Sequence, residues 1–390
     1  MKNFVYNIPT KIFFGKGQVE KIGPEILKYG KKVLLVYGKG SIKSNGIYDK
    51  VIEILKAHEI EYFEVAGVDP NPRTETVYYG ADLCKKHGID LILAMGGGST
   101  IDCSKAIALQ SKHDGDFWQD FYIGRKYKLI KDVTPVASIL TLAATGSEMN
   151  GSAVISNLAT NMKMGFTHDR LKPVFSVEDP EYTYSVSKYQ TCAGAIDIMS
   201  HLFEQYFSVE KDGFLQNRVI EGLLKTIIHY APIAIENPRD YEARANIMWT
   251  SSLALNDLVD YGKESTDWAT HQIEHQLSAV YDITHGIGLG IITPAWMKYV
   301  LSDENIHRFV DYGKNIWNLS GSDREIAEKA IEKTQEFFIS LGCPANLREI
   351  NIDDSNFELM AGNTTFRGRI GSMKKLSKED VIEIYKLALE

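Results

Sequence analysis

Up to about residue 180 the chain alternates short apolar runs with stretches in which apolar residues recur every three or four positions. The runs are Lys32 to Tyr37, Tyr62 to Val65, Leu91 to Met95 and Pro135 to Leu140. Runs this short and this continuous suit strands covered on both faces, which predicts a mostly parallel sheet with crossover helices. Beyond Asp179-Pro180 the strand signals fade. Segments such as Gln190 to Phe207, Tyr241 to Leu258 and Ile326 to Leu341 keep only the three- and four-residue spacing, which predicts an all-helical second half. The expected division is an α/β dinucleotide-binding domain over 1–182 and an all-helical domain over 183–390, with the boundary near Asp179 to Ser187, where Pro180 and polar neighbours interrupt both patterns.

Composition narrows the class. Hydrophobic residues make up 44% and charged residues 24% of the 390, the balance of an ordinary globular protein. No stretch approaches eighteen uncharged apolar residues, and Met1-Lys2-Asn3-Phe4 runs into polar and turn residues, so neither a membrane span nor a signal peptide is expected and the cytoplasm is the default location. The net charge is -8 and the basic residues are scattered, which argues against a nucleic-acid partner. Cys84, Cys103, Cys192 and Cys343 form no Cys-x-x-Cys pair, so no thiolate zinc cage or disulfide framework is signalled.

Directly after the third run comes Gly96-Gly97-Gly98-Ser99, and from Ser99 the pattern becomes helical. A glycine turn between strand and helix suits a pyrophosphate, because unsatisfied N–H groups and the helix dipole favour an anion and glycine admits it closely; the same residues also make a plain βα turn. The first run is followed by Gly38-Lys39-Gly40-Ser41, where a nucleotide fold places the adenosine ribose. No acid occurs between Tyr37 and Asn45, whereas Lys39, Ser41 and Lys43 do, so NADP(H) is expected to be favoured over NAD(H). A third segment, Thr141 to Glu148, either lines a diphosphate or nicotinamide pocket or starts a helix capped by Thr145 or Ser147.

Asp197 and His201 stand four apart in a helical pattern, so both project from one face among apolar neighbours. A lone carboxylate there is costly, and something must neutralise it. Farther on, His271, His275 and His285 place three of the ten histidines in one short region; His271 and His275 share a helical face, and a turn near Asp282 brings His285 back towards His271. One carboxylate with neutral imidazoles makes a site for Fe²⁺, Zn²⁺, Ni²⁺ or Co²⁺ with room for a substrate oxygen. Hydrogen-bonded core histidines are the plainer alternative.

Together these residues resemble the iron-containing, group III alcohol dehydrogenases, within them the butanol dehydrogenase and aldehyde reductase branch. The likeness runs from Pro9-Thr10-Lys11-Ile12-Phe13-Phe14-Gly15 through Gly96 to Asp102 and Thr145-Gly146-Ser147-Glu148 to His285-Gly286. It implies a dehydroquinate synthase-like fold, with metal and substrate held in the helical domain. It also implies a divalent metal, Fe²⁺ favoured and Zn²⁺ acceptable, on Asp197, His201, His271 and His285, with His275 a non-ligand near the nicotinamide. By the same resemblance Gly97, Gly98 and Ser99 contact the pyrophosphate, Thr141, Leu142, Thr145 and Lys163 approach the cofactor, Asn71 lies by the adenine, and Asp102 and Asn150 lie close to nicotinamide and substrate. The implied activity is NAD(P)H-linked interconversion of small primary alcohols and aldehydes by a homodimer, and imidazole chemistry makes His275 the candidate proton relay. A dehydroquinate synthase-like lyase and a non-catalytic cofactor-binding protein are the rival readings.

Overall fold

The computed structural model describes residues 1–208 and 213–390. The chain divides into two compact units: Asn7–Val186, and Ser187–Glu390 together with Met1–Tyr6. Both ends of this division have a local cause. A 3-10 turn, Pro180–Thr183, follows the last strand, and Asp179 accepts a hydrogen bond from the Gly17 N–H at 2.7 Å, which closes the first unit. Ser187 then caps the next helix by accepting from the Gln190 N–H. The first residues join the helical unit because the Lys2 N–H donates to the Gly262 carbonyl at 2.9 Å and the Phe4 ring stacks on Tyr261. The division thus falls a few residues beyond the expected 182, and the sequence pattern carries no sign of the N-terminal return.

The first unit holds β1 (Lys11–Phe14), α1 (Ile22–Ile26), β2 (Lys32–Tyr37), α2 (Ser41–Ser44), α3 (Ile47–Ala57), β3 (Glu61–Ala66), α4 (Thr74–His87), β4 (Leu91–Gly96), α5 (Gly98–Ser111), β5 (Val136–Leu140), β6 (Ser152–Asn157), β7 (Met162–Thr167) and β8 (Phe175–Glu178). Six strands form a sheet in the order β1-β8-β5-β4-β2-β3, every pair parallel. All four apolar runs are strands of this sheet, and β2, β4 and β5 are buried along nearly their whole length. One core packs Val33, Leu35, Leu91, Leu93, Ala137 and Val177; another packs Leu34, Val36, Ile92 and Val136 with α5. Alternate residues of one strand thus face opposite layers. Parallel register puts the ends of β2, β4 and β5 side by side, so their three polar turns share the carboxyl edge of the sheet, where α/β folds bind ligands. β6 and β7 form a separate antiparallel hairpin whose half-buried alternation lacks the continuous runs seen elsewhere.

The second unit is helical: α6 (Lys188–Tyr206), α7 (Phe214–Glu236), α8 (Tyr241–Ala254), α9 (Ala269–Tyr281), α10 (His285–Val300), α11 (Ile306–Trp317), α12 (Asp323–Ser340), α13 (Phe357–Thr364) and α14 (Lys378–Leu389). Ser322 with Glu325 and Ser377 with Asp380 form reciprocal caps at the starts of α12 and α14. α6 is buried without a break from Thr191 to Tyr206, and α10 from Gly286 to Met297. A helix buried on every side belongs in the middle of a bundle, so these two are its central members. No helix among the described residues is long and apolar enough to cross a membrane.

Candidate metal centre and nucleotide turns

Asp197 and His201 lie one turn apart on α6, and His271 lies on α9. α9 ends where Asp282 takes the left-handed conformation at φ 52°, and α10 begins at His285 after a short turn. The reversal brings His285 back over α9. The packing is close enough to require glycine: a Cβ on Gly286 would lie 2.0 Å from the Ala193 carbonyl oxygen of α6, and one on Gly288 would lie 2.7 Å from the Glu274 side chain.

Asp197 Oδ1 stands 3.6 Å from His201 Nε2, 3.7 Å from His271 Nε2 and 3.7 Å from His285 Nε2. These lengths are too great for hydrogen bonds. They suit donors sharing one cation, since two ligands about 2.1 Å from an ion in tetrahedral array are roughly 3.4 Å apart. Asp197 Oδ1 and His271 Nε2, both buried, have no hydrogen-bond partner among the described residues, an expensive arrangement in a protein interior unless an ion meets them. Burial alone would raise the Asp197 carboxyl, but the imidazoles of His201, His271 and His285 hold it well below the usual carboxylate range. Burial opposes a charge on His271, yet the carboxylates of Asp197 and Glu204 outweigh it and push the imidazole up to about 9. The donor set therefore fits a divalent cation in both geometry and charge.

His275 lies one turn beyond His271 on α9, half-buried, its ring centroid 6.4 Å from that of His271 and 5.4 Å from that of His285. It stands at the rim of the cluster and outside the close Asp197-centred set. Three neighbours were not singled out in the sequence. Glu204, on the face of α6 that carries Asp197 and His201, accepts from His271 Nδ1 at 3.0 Å. Glu274, on α9, pairs with His285 Nδ1. Trp268, held left-handed at φ 64°, sets its ring 5.4 Å from His271 and 6.2 Å from His201. The legible signal was spacing: acids three residues after His201 and three after His271, inside buried helices.

In the first unit, Gly97 is the extended N-cap of α5 and no side chain caps that helix end. A Cβ on Gly97 would lie 3.2 Å from Leu142, and one on Gly98 would lie 2.4 Å from Thr145 Oγ1. Four of the expected cofactor residues therefore touch in pairs across two turns. The Ser99 hydroxyl donates to the Pro70 carbonyl, which ties in the loop of the buried Asn71, and Thr141 begins its turn by donating from its N–H to the Gly96 carbonyl at 3.1 Å. Lys163 is buried on β7, its ammonium close enough to act on Asp102.

Asp102 and Asn150 are committed internally. Asp102 accepts from the Ser147 hydroxyl at 2.5 Å and the Val154 N–H at 2.8 Å. Asn150 accepts from Lys105 Nζ at 3.2 Å and the Ser152 N–H at 2.9 Å, and donates to the Thr145 carbonyl at 3.2 Å. For both, the structure shows a brace between turns. At its centre sits Lys105, wholly buried, which also donates to Ser147 Oγ and the Ser152 carbonyl, each at 2.8 Å. Burial pushes its ammonium down to about 8 against the pull of Asp102 and Glu148.

The first polar turn carries Gly38, Gly40 and Ser41, the last starting α2. Lys39 Nζ lies 3.2 Å from Asp69 Oδ1, an acid that a later loop brings to the turn. The Lys43 ammonium lies over the Tyr48 and Tyr37 rings at 4.7 and 5.2 Å.

Comparison with known proteins gives a consistent result. The family pattern described as iron-containing alcohol dehydrogenase matches residues 9–180, and that of the Fe-containing alcohol dehydrogenase family C-terminal part matches residues 191–389. The chain is 52% identical over 390 residues to NADH-dependent butanol dehydrogenase A of Clostridium acetobutylicum, covering 99% of each chain. It is 38% identical over 360 residues to the NADPH-dependent aldehyde reductase YqhD of Escherichia coli, covering 91% of each. The crystal structure of NADH-dependent butanol dehydrogenase A from Thermotoga maritima superposes with a TM-score of 0.96 at 41% identity, covering 100% of this chain and 99% of that one.

Proposed function

This chain belongs to the iron-containing alcohol dehydrogenase family and is an oxidoreductase of the alcohol dehydrogenase and aldehyde reductase type, and from that premise we propose that it interconverts small primary alcohols and aldehydes such as butanol and butanal. The observation that carries the reading is the single carboxylate oxygen of Asp197 set 3.6 to 3.7 Å from three imidazole nitrogens. Asp197, His201, His271 and His285 would hold one divalent ion, Fe²⁺ in preference to Zn²⁺. Such an ion supplies a Lewis acid for the carbonyl oxygen, and a nicotinamide supplies the hydride.

The side chains do the rest. Asp197 brings negative charge to balance the ion, and the Trp268 ring walls the centre against water. His275, half-buried at the rim, passes the proton between the reacting oxygen and solvent, a task suited to an imidazole. Gly97, Gly98 and Ser99 offer an uncapped helix start to the pyrophosphate, with Thr141, Leu142, Thr145 and Lys163 beside it and Asn71 toward the adenine. Asp102 and Asn150 serve the nicotinamide side by fixing the turn that Thr145 belongs to.

NADP(H) is the favoured nucleotide in this reading, supported by Lys39, Ser41 and Lys43 and by the lack of an acid from Tyr37 to Asn45. Asp69 beside Lys39 works in the opposite direction. Turnover of butanal with NADPH and NADH at equal concentrations tests both substrate and nucleotide: faster turnover with NADPH is expected, a strong NADH preference overturns the nucleotide assignment, and inactivity with both overturns the function. The protein acts as a cytoplasmic homodimer in this proposal, which light scattering checks.

A further inference from the structure

We propose that Glu204 and Glu274 are positioning residues that set the orientation and tautomer of two of the metal-site histidines and link three helices in series. The inference rests on the metal centre proposed above. Glu204 is buried on α6, and its Oε1 accepts from the His271 backbone N–H at 3.0 Å, from His271 Nδ1 at 3.0 Å and from the Thr270 hydroxyl. Glu274 is fully buried on α9 and pairs with His285 Nδ1 and the Ser278 hydroxyl. An ionised carboxylate only accepts, so the hydrogen in each of these contacts belongs to Nδ1 of the imidazole. A neutral ring that carries its proton on Nδ1 has its lone pair on Nε2, and Nε2 of each ring is the atom that faces Asp197.

The direction of the braces matters. Glu204 on α6 reaches across to His271 on α9, and Glu274 on α9 reaches across to His285 on α10. α6 thus orients a donor on α9, and α9 orients one on α10. Room for the second brace comes from Gly288, where a Cβ would lie 2.7 Å from Glu274. Asp197, Glu204 and Glu274 also bring three buried carboxylates to the centre, which favours a divalent cation over an empty site.

The test uses the full chain stripped of metal and titrated with Zn²⁺ against a chromophoric chelator. Wild type should take up one equivalent; failure to do so would refute the metal centre itself, separately from the inference. Glu204→Gln and Glu274→Gln should still bind one equivalent, each about 10- to 100-fold more weakly. Ser278→Ala, which removes a hydroxyl beside Glu274 and leaves both carboxylates in place, should stay within about threefold. Wild-type affinity in both Gln variants would overturn the proposal. A second measurement needs no variant: in the zinc-loaded protein labelled with ¹⁵N-histidine, long-range ¹H–¹⁵N correlations should show His271 and His285 protonated at Nδ1. Protons at Nε2 of these rings would overturn it equally, so the proposal remains testable if a Gln variant does not fold.

Discussion

The Ser147 hydroxyl donates to Asp102 Oδ1 at 2.5 Å, so a residue from the turn after β5 is fastened to the first turns of α5. With Lys105 on the other side of Ser147, the turns after β4 and β5 are parts of one buried polar network. Each member has a partner, the condition under which a buried network stiffens a structure rather than weakening it.

Lys105 makes that network sensitive to alkali. Its ammonium is pushed down to about 8 from an ordinary 10.5 by burial. Between those values the unfolded chain binds the proton and the folded one does not, so the lysine makes stability rise with pH across that window. Lys105→Met should remove this slope. Denaturant midpoints of both proteins from pH 7.5 to 10.5 check it, and parallel curves would contradict it.

Gly98→Ala should weaken nucleotide binding before it affects the chemical step. The added methyl would meet Thr145 Oγ1 at 2.4 Å and Cγ2 at 2.5 Å, which forces the two turns apart. The KM for the nucleotide should rise roughly tenfold or more while kcat falls less, a pattern of lost uniform binding. Steady-state kinetics with nucleotide fluorescence titration distinguish this from general misfolding.

Asp197→Asn and His271→Ala should each lose bound metal and activity together, with affinity down more than about 100-fold, beyond what removal of an outer partner costs. The pH dependence follows from the imidazole held up to about 9 in the metal-free protein. Below that value an entering cation must expel the proton, so metal affinity should climb with pH toward about 9 and level off above it. Competition titrations across pH 6 to 10 read this directly, and a flat profile would contradict it.

His275→Ala should retain metal, because the imidazole nitrogens that stand 3.6 to 3.7 Å from Asp197 Oδ1 belong to His201, His271 and His285. A relay lost at the rim should lower kcat by about 10²-fold or more and change the pH–rate profile. Unchanged turnover and profile would remove the relay role.

Much of this was legible in the chain because local pattern and tertiary role coincide. The runs at 32–37, 62–65, 91–95 and 135–140 are β2 to β5, since central parallel strands are apolar on both faces. Asp197 and His201 read correctly as one helical face because their spacing matches a helical turn. The β6–β7 hairpin, half-buried and polar on one side, lacks such a run. Glu204, Glu274 and Lys105 escaped notice because a charged residue in a helix looks solvated until its neighbours are known. Asp69 illustrates the same limit at the turn after β2, where a segment free of acids in sequence receives one in space.

The backbone contact at Gly286 has a further consequence. With no side chain between α10 and the Ala193 carbonyl of α6, the spacing of two walls of the centre is set by main chain. A Cβ at Gly286 would push the start of α10 off α6 and carry His285 away from Asp197.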